Sequence, residues 1–120
     1  MSEITYLKNY RQILNVVTDF NKVATKGPFE VDDESVTLQE KDKPSGKDYV
    51  EVVITRGDTL LHTNGFIKHG TKDYDTVGIR VAKIVGGKFE SVYPSPDMKS
   101  KAADGTEEKL REALMIADKI

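Results

Sequence analysis

The chain has no cysteine. Disulfides, thiolate metal sites and cysteine nucleophiles are therefore excluded together, and the composition fits a reducing compartment. Neither sign of charge is in surplus: 18 basic residues stand against 20 acidic ones, a formal net of −2. Nucleic-acid recognition calls for a strongly basic face, so a nucleic-acid partner is not expected. Long apolar runs are missing too. Nothing approaches the roughly 18 residues of a membrane span. The N-terminal MSEITYLKNY carries Glu3 early and has no apolar stretch of signal-peptide length. The cytoplasm is the expected location, with no membrane among the partners.

Chemistry-bearing motifs are equally scarce. There are only two histidines, His62 and His69. No G-x-S-x-G turn and no phosphate-cradling G-x-x-x-x-G-K-[ST] loop occurs. Gly86-Gly87-Lys88 is the nearest fragment, and it lies between two strand patterns, where Gly-Gly makes a hairpin turn. Asp73-Tyr74-Asp75 begins like a calcium loop but places Val77 at the fifth position and Ile84 at the twelfth, where a bidentate Glu is needed. Arg56-Gly57-Asp58 spells an adhesion tripeptide and reads as a turn. No catalytic residue, metal site or cofactor is expected.

What is present is the pattern of one α+β domain spanning residues 1–120. The 38% hydrophobic content suffices for a core without staples. Residues 3–25 show a helical stripe at Leu7, Tyr10, Leu14, Val17, Asn21 and Ala24, widened by Ile13 and Phe20. Ser2 is the expected N-cap and Gly27-Pro28 the stop. Short strands are expected at 29–31 and 35–39 around an acidic turn at Asp32-Asp33-Glu34, followed by a loop over 40–48.

The stretch 49–69, YVEVVITRGDTLLHTNGFIKH, reads as three antiparallel strands joined by turns at Gly57-Asp58 and Asn64-Gly65. Asn-Gly between apolar runs is a strong hairpin signal. A further hairpin is expected around Gly86-Gly87, joining 76–85 to 88–93, with Lys83 opposite Glu90. Pro94 and Pro96 then stop the sheet. A last helix carries Leu110, Ala113, Leu114, Ala117 and Ile120, with Asp104 or Thr106 as its N-cap. The sequence thus predicts an N-terminal helix, an antiparallel sheet of five to six strands built from hairpins, and a C-terminal helix, with both helices on one sheet face. This order resembles cystatin-like and NTF2-like architectures, a likeness of architecture that implies no function.

Pairing residues through those turns gives the sheet two unlike faces. Val50, Val52, Ile54, Leu61, Thr63 and Phe66 make the expected core face. The other is mixed: Tyr49, Glu51, Val53, Leu60, His62, Ile67 and His69, joined by Arg80 and Tyr93. Tyr and Arg are enriched at binding hot spots, so Tyr49, His62, His69, Arg80 and Tyr93 are the candidate binding residues. His62, His69 and Glu51 also share that face as a candidate zinc set, against which stands an ordinary wet sheet face. The leading expectation is a small cytoplasmic binding or interaction protein, an accessory, inhibitor or adaptor of a cell or virus, acting through this face on a protein partner or by homodimerisation. The alternatives are a small-molecule or nucleotide binder with a pocket between helix and sheet, using Arg80, His62 and Tyr93, and a small hydrolase or isomerase using His62 with Glu51.

Overall fold

The computed structural model describes residues 6–37, 47–68, 75–94 and 102–120. Within them lie two helices and a six-stranded antiparallel sheet. Helix α1 is Tyr10–Phe20, and strands β1 (Glu30–Val31) and β2 (Ser35–Thr37) follow. Strands β3 (Lys47–Arg56), β4 (Thr59–Lys68), β5 (Asp75–Val85) and β6 (Lys88–Tyr93) form a meander, and helix α2 is Glu107–Lys119. β1 and β2 sit one after the other along the free side of β3, both antiparallel to it. Asp32-Asp33-Glu34 is thus an interruption in an edge and not a reversal; the Asp32 N–H still donates to Val53 O at 2.8 Å. No helix among the described residues is long and apolar enough to cross a membrane.

Two turns follow their glycines. Gly57 has φ +60° and joins Arg56 to Thr59; Gly86 and Gly87, at +57° and +78°, join Val85 to Lys88. Lys83 lies opposite Glu90 as expected. Asn64-Gly65 is not a turn. Neither residue has the positive φ that a type I′ turn requires. Instead β4 runs straight through, paired with β3 from Thr59 to Lys68 and with β5 on its other side. Asn64 opposes Gly78 and Gly65 opposes Thr76, which leaves Val77 as the extra residue of a bulge. A ten-residue strand paired along both edges outweighs one local turn preference.

The straight path of β4 sets which side chains share a face, because alternation is strict. Phe66 belongs with Leu60, His62 and Asn64, while Ile67 falls in with Leu61, Thr63 and Gly65 on the core side. A second register shift, at Val81/Ala82, makes Val92 the extra residue of β6 and sets Tyr93 opposite Val81. Tyr93 therefore joins the core.

That core is continuous. Val52, Ile54, Leu61, Ile79 and Val81 on the sheet meet Leu110, Ala113, Leu114 and Ala117 of α2, together with Ile13, Val16, Val17 and Phe20 of α1. Helix α2 packs on β4 and β5, and α1 packs on α2. The N-cap of α2 is Thr106, whose hydroxyl accepts from the Lys109 N–H at 3.1 Å, with Glu107 and Glu108 in the first turn where the dipole favours acids.

α1 is shorter than its sequence pattern. Asn9, not Ser2, caps it, accepting from the Gln12 N–H, while Gln12 Oε1 accepts from the Lys8 N–H. Leu7 is needed elsewhere: its N–H donates to Gly105 O at 2.9 Å and its C=O accepts from the Thr76 N–H at 2.8 Å. With Ala103 bonded to Ile79 in both directions, these segments cover the part of β5 that β6 does not reach. Gly105 has to be glycine, since a β-carbon there would overlap the Thr76 carbonyl. At the other end the Asn21 amide bonds both the N–H and the C=O of Phe29, so the chain turns away at Phe20 rather than at Gly27.

Arg56 and Asp118 lock the assembly. Arg56 Nη1 lies 2.5 Å from Asp118 Oδ1 and donates to Gly27 O at 3.0 Å; Nη2 donates to the Ala117 and Asp118 carbonyls at the end of α2. The guanidinium also stacks 4.3 Å over the Phe29 ring. Asp118 accepts further from the Thr25 N–H and hydroxyl and from the Lys26 N–H. Burial alone would raise the Asp118 carboxyl, but Arg56 and the Thr25 and Lys26 donors outweigh it and hold the group well below the usual carboxylate range.

Because the folded value is depressed, the stabilisation is fully present above the unfolded value of about 4 and drains away as pH falls below it. Removing one partner of a buried, hydrogen-bonded pair strands the other, at about 3–5 kcal/mol. Asp118→Ala is expected to lose about that much at pH 7 in urea unfolding, and Asp118→Asn to flatten the loss of stability that the parent is expected to show between about pH 4 and pH 2.

Candidate functional site

With both helices on one side, no helix or strand among the described residues covers the other face of β3–β6. Each strand delivers alternate side chains to it: Tyr49, Glu51, Val53 and Thr55 from β3; Leu60, His62, Asn64 and Phe66 from β4; Arg80, Ala82 and Ile84 from β5; Phe89 and Ser91 from β6. A concavity of about 350 Å³ lies across it. Val53, Leu60, Ala82 and Phe89 give it an apolar lining, and Glu51, His62, Arg80 and Ser91 supply polar groups.

Register explains the polar line. Val53, His62 and Arg80 share one row across three strands, and Glu51 stands one step along in the next row. That diagonal brings His62 Nε2 to 2.9 Å from Glu51 Oε1, both side chains about one-third exposed at 30% and 34%. Glu51 is shared with Tyr49, whose hydroxyl bonds both Glu51 and Asn64. The Tyr49 ring meets Phe66 edge-on, centroids 5.5 Å apart at 64°. Phenol ionisation at Tyr49 is pushed up by burial first and by the Glu51 carboxylate second, with Asn64 opposing.

Of the five residues singled out from sequence, Tyr49, His62 and Arg80 share the open face. His69 lies outside the described residues, so the His62/His69 pairing has no structural account. Among the described residues no group of three His, Asp or Glu is placed to hold a metal ion. Tyr93 is on the helix side, 8% exposed, where burial and the Glu112 carboxylate push its phenol up to about 12. Strict alternation through the hairpin places Tyr93 with Arg80, and the Val92 bulge that overrides it has no local signature. Phe66 is assigned to the wrong face by the Asn64-Gly65 turn. Phe89 is the largest exposed apolar group of the concavity, at 62%.

The face combines an apolar floor with fixed polar groups. His62 hydrogen-bonded to a carboxylate has its ring orientation set, which suits recognition of a polar group on an incoming surface. No family model matches the chain, and neither a curated protein nor a solved structure matches it.

Glu51→Gln is expected to bring the Tyr49 phenol back toward about 10, with burial retaining part of the rise. An ultraviolet titration at the phenolate band, compared with the same titration in Tyr49→Phe, reads this shift. An unchanged curve would remove Glu51 as Tyr49's electrostatic partner.

Proposed function

We propose that the chain is a small binding protein whose working surface is the open face of the sheet, with a protein partner or a second copy as its target. One observation carries this reading: both helices pack on the opposite side, and the face that no described helix or strand covers gathers Leu60, Val53 and Phe89 around the hydrogen-bonded Glu51–His62 pair and Arg80. Apolar anchors ringed by oriented polar groups are the usual make-up of an interface centre. The cytoplasm remains the location we propose, on the cysteine-free composition and its near-neutral charge.

A small-molecule reading moves to the same face. Arg80 and His62 stand on the open side and Tyr93 on the other, so the three cannot line one pocket between helix and sheet. The concavity itself falls at the low end of ligand-site volumes, and a flat apolar ligand with one acidic group is the chemistry it would accept.

Leu60→Asp places a charge in the apolar floor without touching the core. Partner capture from lysate of the source cell, quantified by mass spectrometry, is expected to lose a specific protein with Leu60→Asp. The same protein should be retained with Arg111→Ala, a change on the helix side. Equal capture by both variants would contradict the open face as the working surface.

A further inference from the structure

Strand β6 closes one side of the sheet, and among the described residues no strand pairs with its outer edge. Which backbone groups point outward follows from the hairpin. A two-residue turn makes Val85 and Lys88 a pair that exchanges hydrogen bonds. Such pairs alternate along an antiparallel ladder, so Ile84 and Phe89 face each other without bonding and Lys83 bonds Glu90. In agreement, the Ile84 N–H donates the other way, to Asp58 O at 2.8 Å. Phe89 accordingly turns its own N–H and C=O to the outer edge, with its ring on the open face.

Charge usually blunts a free edge. Here the two flanking charges have opposite signs: Lys88-Phe89-Glu90 is self-complementary when read antiparallel. The geometry points to a second copy of this chain as the occupant of this edge, two β6 strands pairing antiparallel about a two-fold axis at Phe89. In that register Phe89 exchanges hydrogen bonds with the same residue of the second copy. Lys88 lies across from the second copy's Glu90, in the closer, non-bonded pair where side chains interact most strongly. A two-fold axis moved to Glu90 sets two carboxylates opposite each other, and one moved to Lys88 sets two ammonium groups opposite each other. Charge therefore selects the register that also pairs the phenylalanines. Pairing stops within a few residues, at the Val92 bulge and at Pro94, which has no N–H to give.

The axis stands perpendicular to the sheet, so both open faces end on the same side of one continuous sheet. The dimer does not depend on the open face being a binding surface; it only presents that face twice.

Sedimentation velocity of the full chain from about 10 μM to about 1 mM covers the range suited to so short an interface. The parent is expected to dimerise, and K88E and E90K each to raise the dissociation constant about tenfold or more, since each turns both attractive pairs repulsive. Mixed in equal amounts, the two variants regain the dimer, because the carboxylate introduced at position 88 of one chain then meets the ammonium introduced at position 90 of the other. The K88E/E90K double variant dimerises like the parent. L60D, on the open face, leaves the dimer intact. Far-UV circular dichroism checks that each variant is folded. A parent that stays monomeric throughout overturns the inference. So does a mixture that stays monomeric, or a dimer that survives either charge reversal and falls to L60D.

Discussion

The clamp between Arg56 and Asp118 is the constraint on which the arrangement of layers depends. It joins three parts distant in sequence: the end of β3, the last turn of α2, and the Thr25–Phe29 segment that leads from α1 into β1. A buried pair is costly to desolvate and stabilises only when its remaining hydrogen-bonding capacity is filled. Here the carboxylate accepts from Arg56, Thr25 and Lys26, and the guanidinium also serves carbonyls that a helix end leaves orphaned. With that end pinned, α2 lies along β4 and β5 and α1 lies on α2, so the apolar sides of both helices are spent on one face of the sheet.

The open face is the complement of that packing. Its content is decided by register, and register by two bulges. The bulge at Val77 keeps Thr76 and Ile79 on the core side while β4 runs straight past Asn64-Gly65, and that straight path of β4 sets Phe66 beside Tyr49. The bulge at Val92 rotates Tyr93 inward, where its phenol meets Glu112. One extra residue in β6 thus separates Tyr93, which supports the fold, from Tyr49, which plain alternation leaves on the exposed surface.

Much of this was legible in the sequence, and the failures have physical causes. The α2 stripe, the glycine turns and the Lys83–Glu90 register depend on local chemistry, and local chemistry is written in neighbouring residues. Asn64-Gly65 carries a strong local signal that lost to two long strand pairings contributed by residues far away. Leu7 fits the helical period of α1 but is held outside it by backbone hydrogen bonds to Gly105 and Thr76, partners far along the chain. Arg56 reads as part of a turn, and nothing near it points to Asp118, 62 positions away. Among the site residues, Tyr49, His62 and Arg80 follow from simple alternation, and so does Phe66 once β4 runs straight through Asn64-Gly65, whereas Tyr93 required the Val92 bulge.

A sheet with one structural face and one working face makes a sharp demand on adjacent residues. Leu60 and Leu61 are neighbours of identical chemistry on opposite sides of β4; Leu61 is fully buried among the helices and Leu60 lines the concavity. Equilibrium urea unfolding of Leu60→Ala and Leu61→Ala, side by side, tests the division most directly. Leu61→Ala is expected to lose about 2–5 kcal/mol and Leu60→Ala under about 1 kcal/mol. Equal losses would contradict the division, since they would make the open face part of the core.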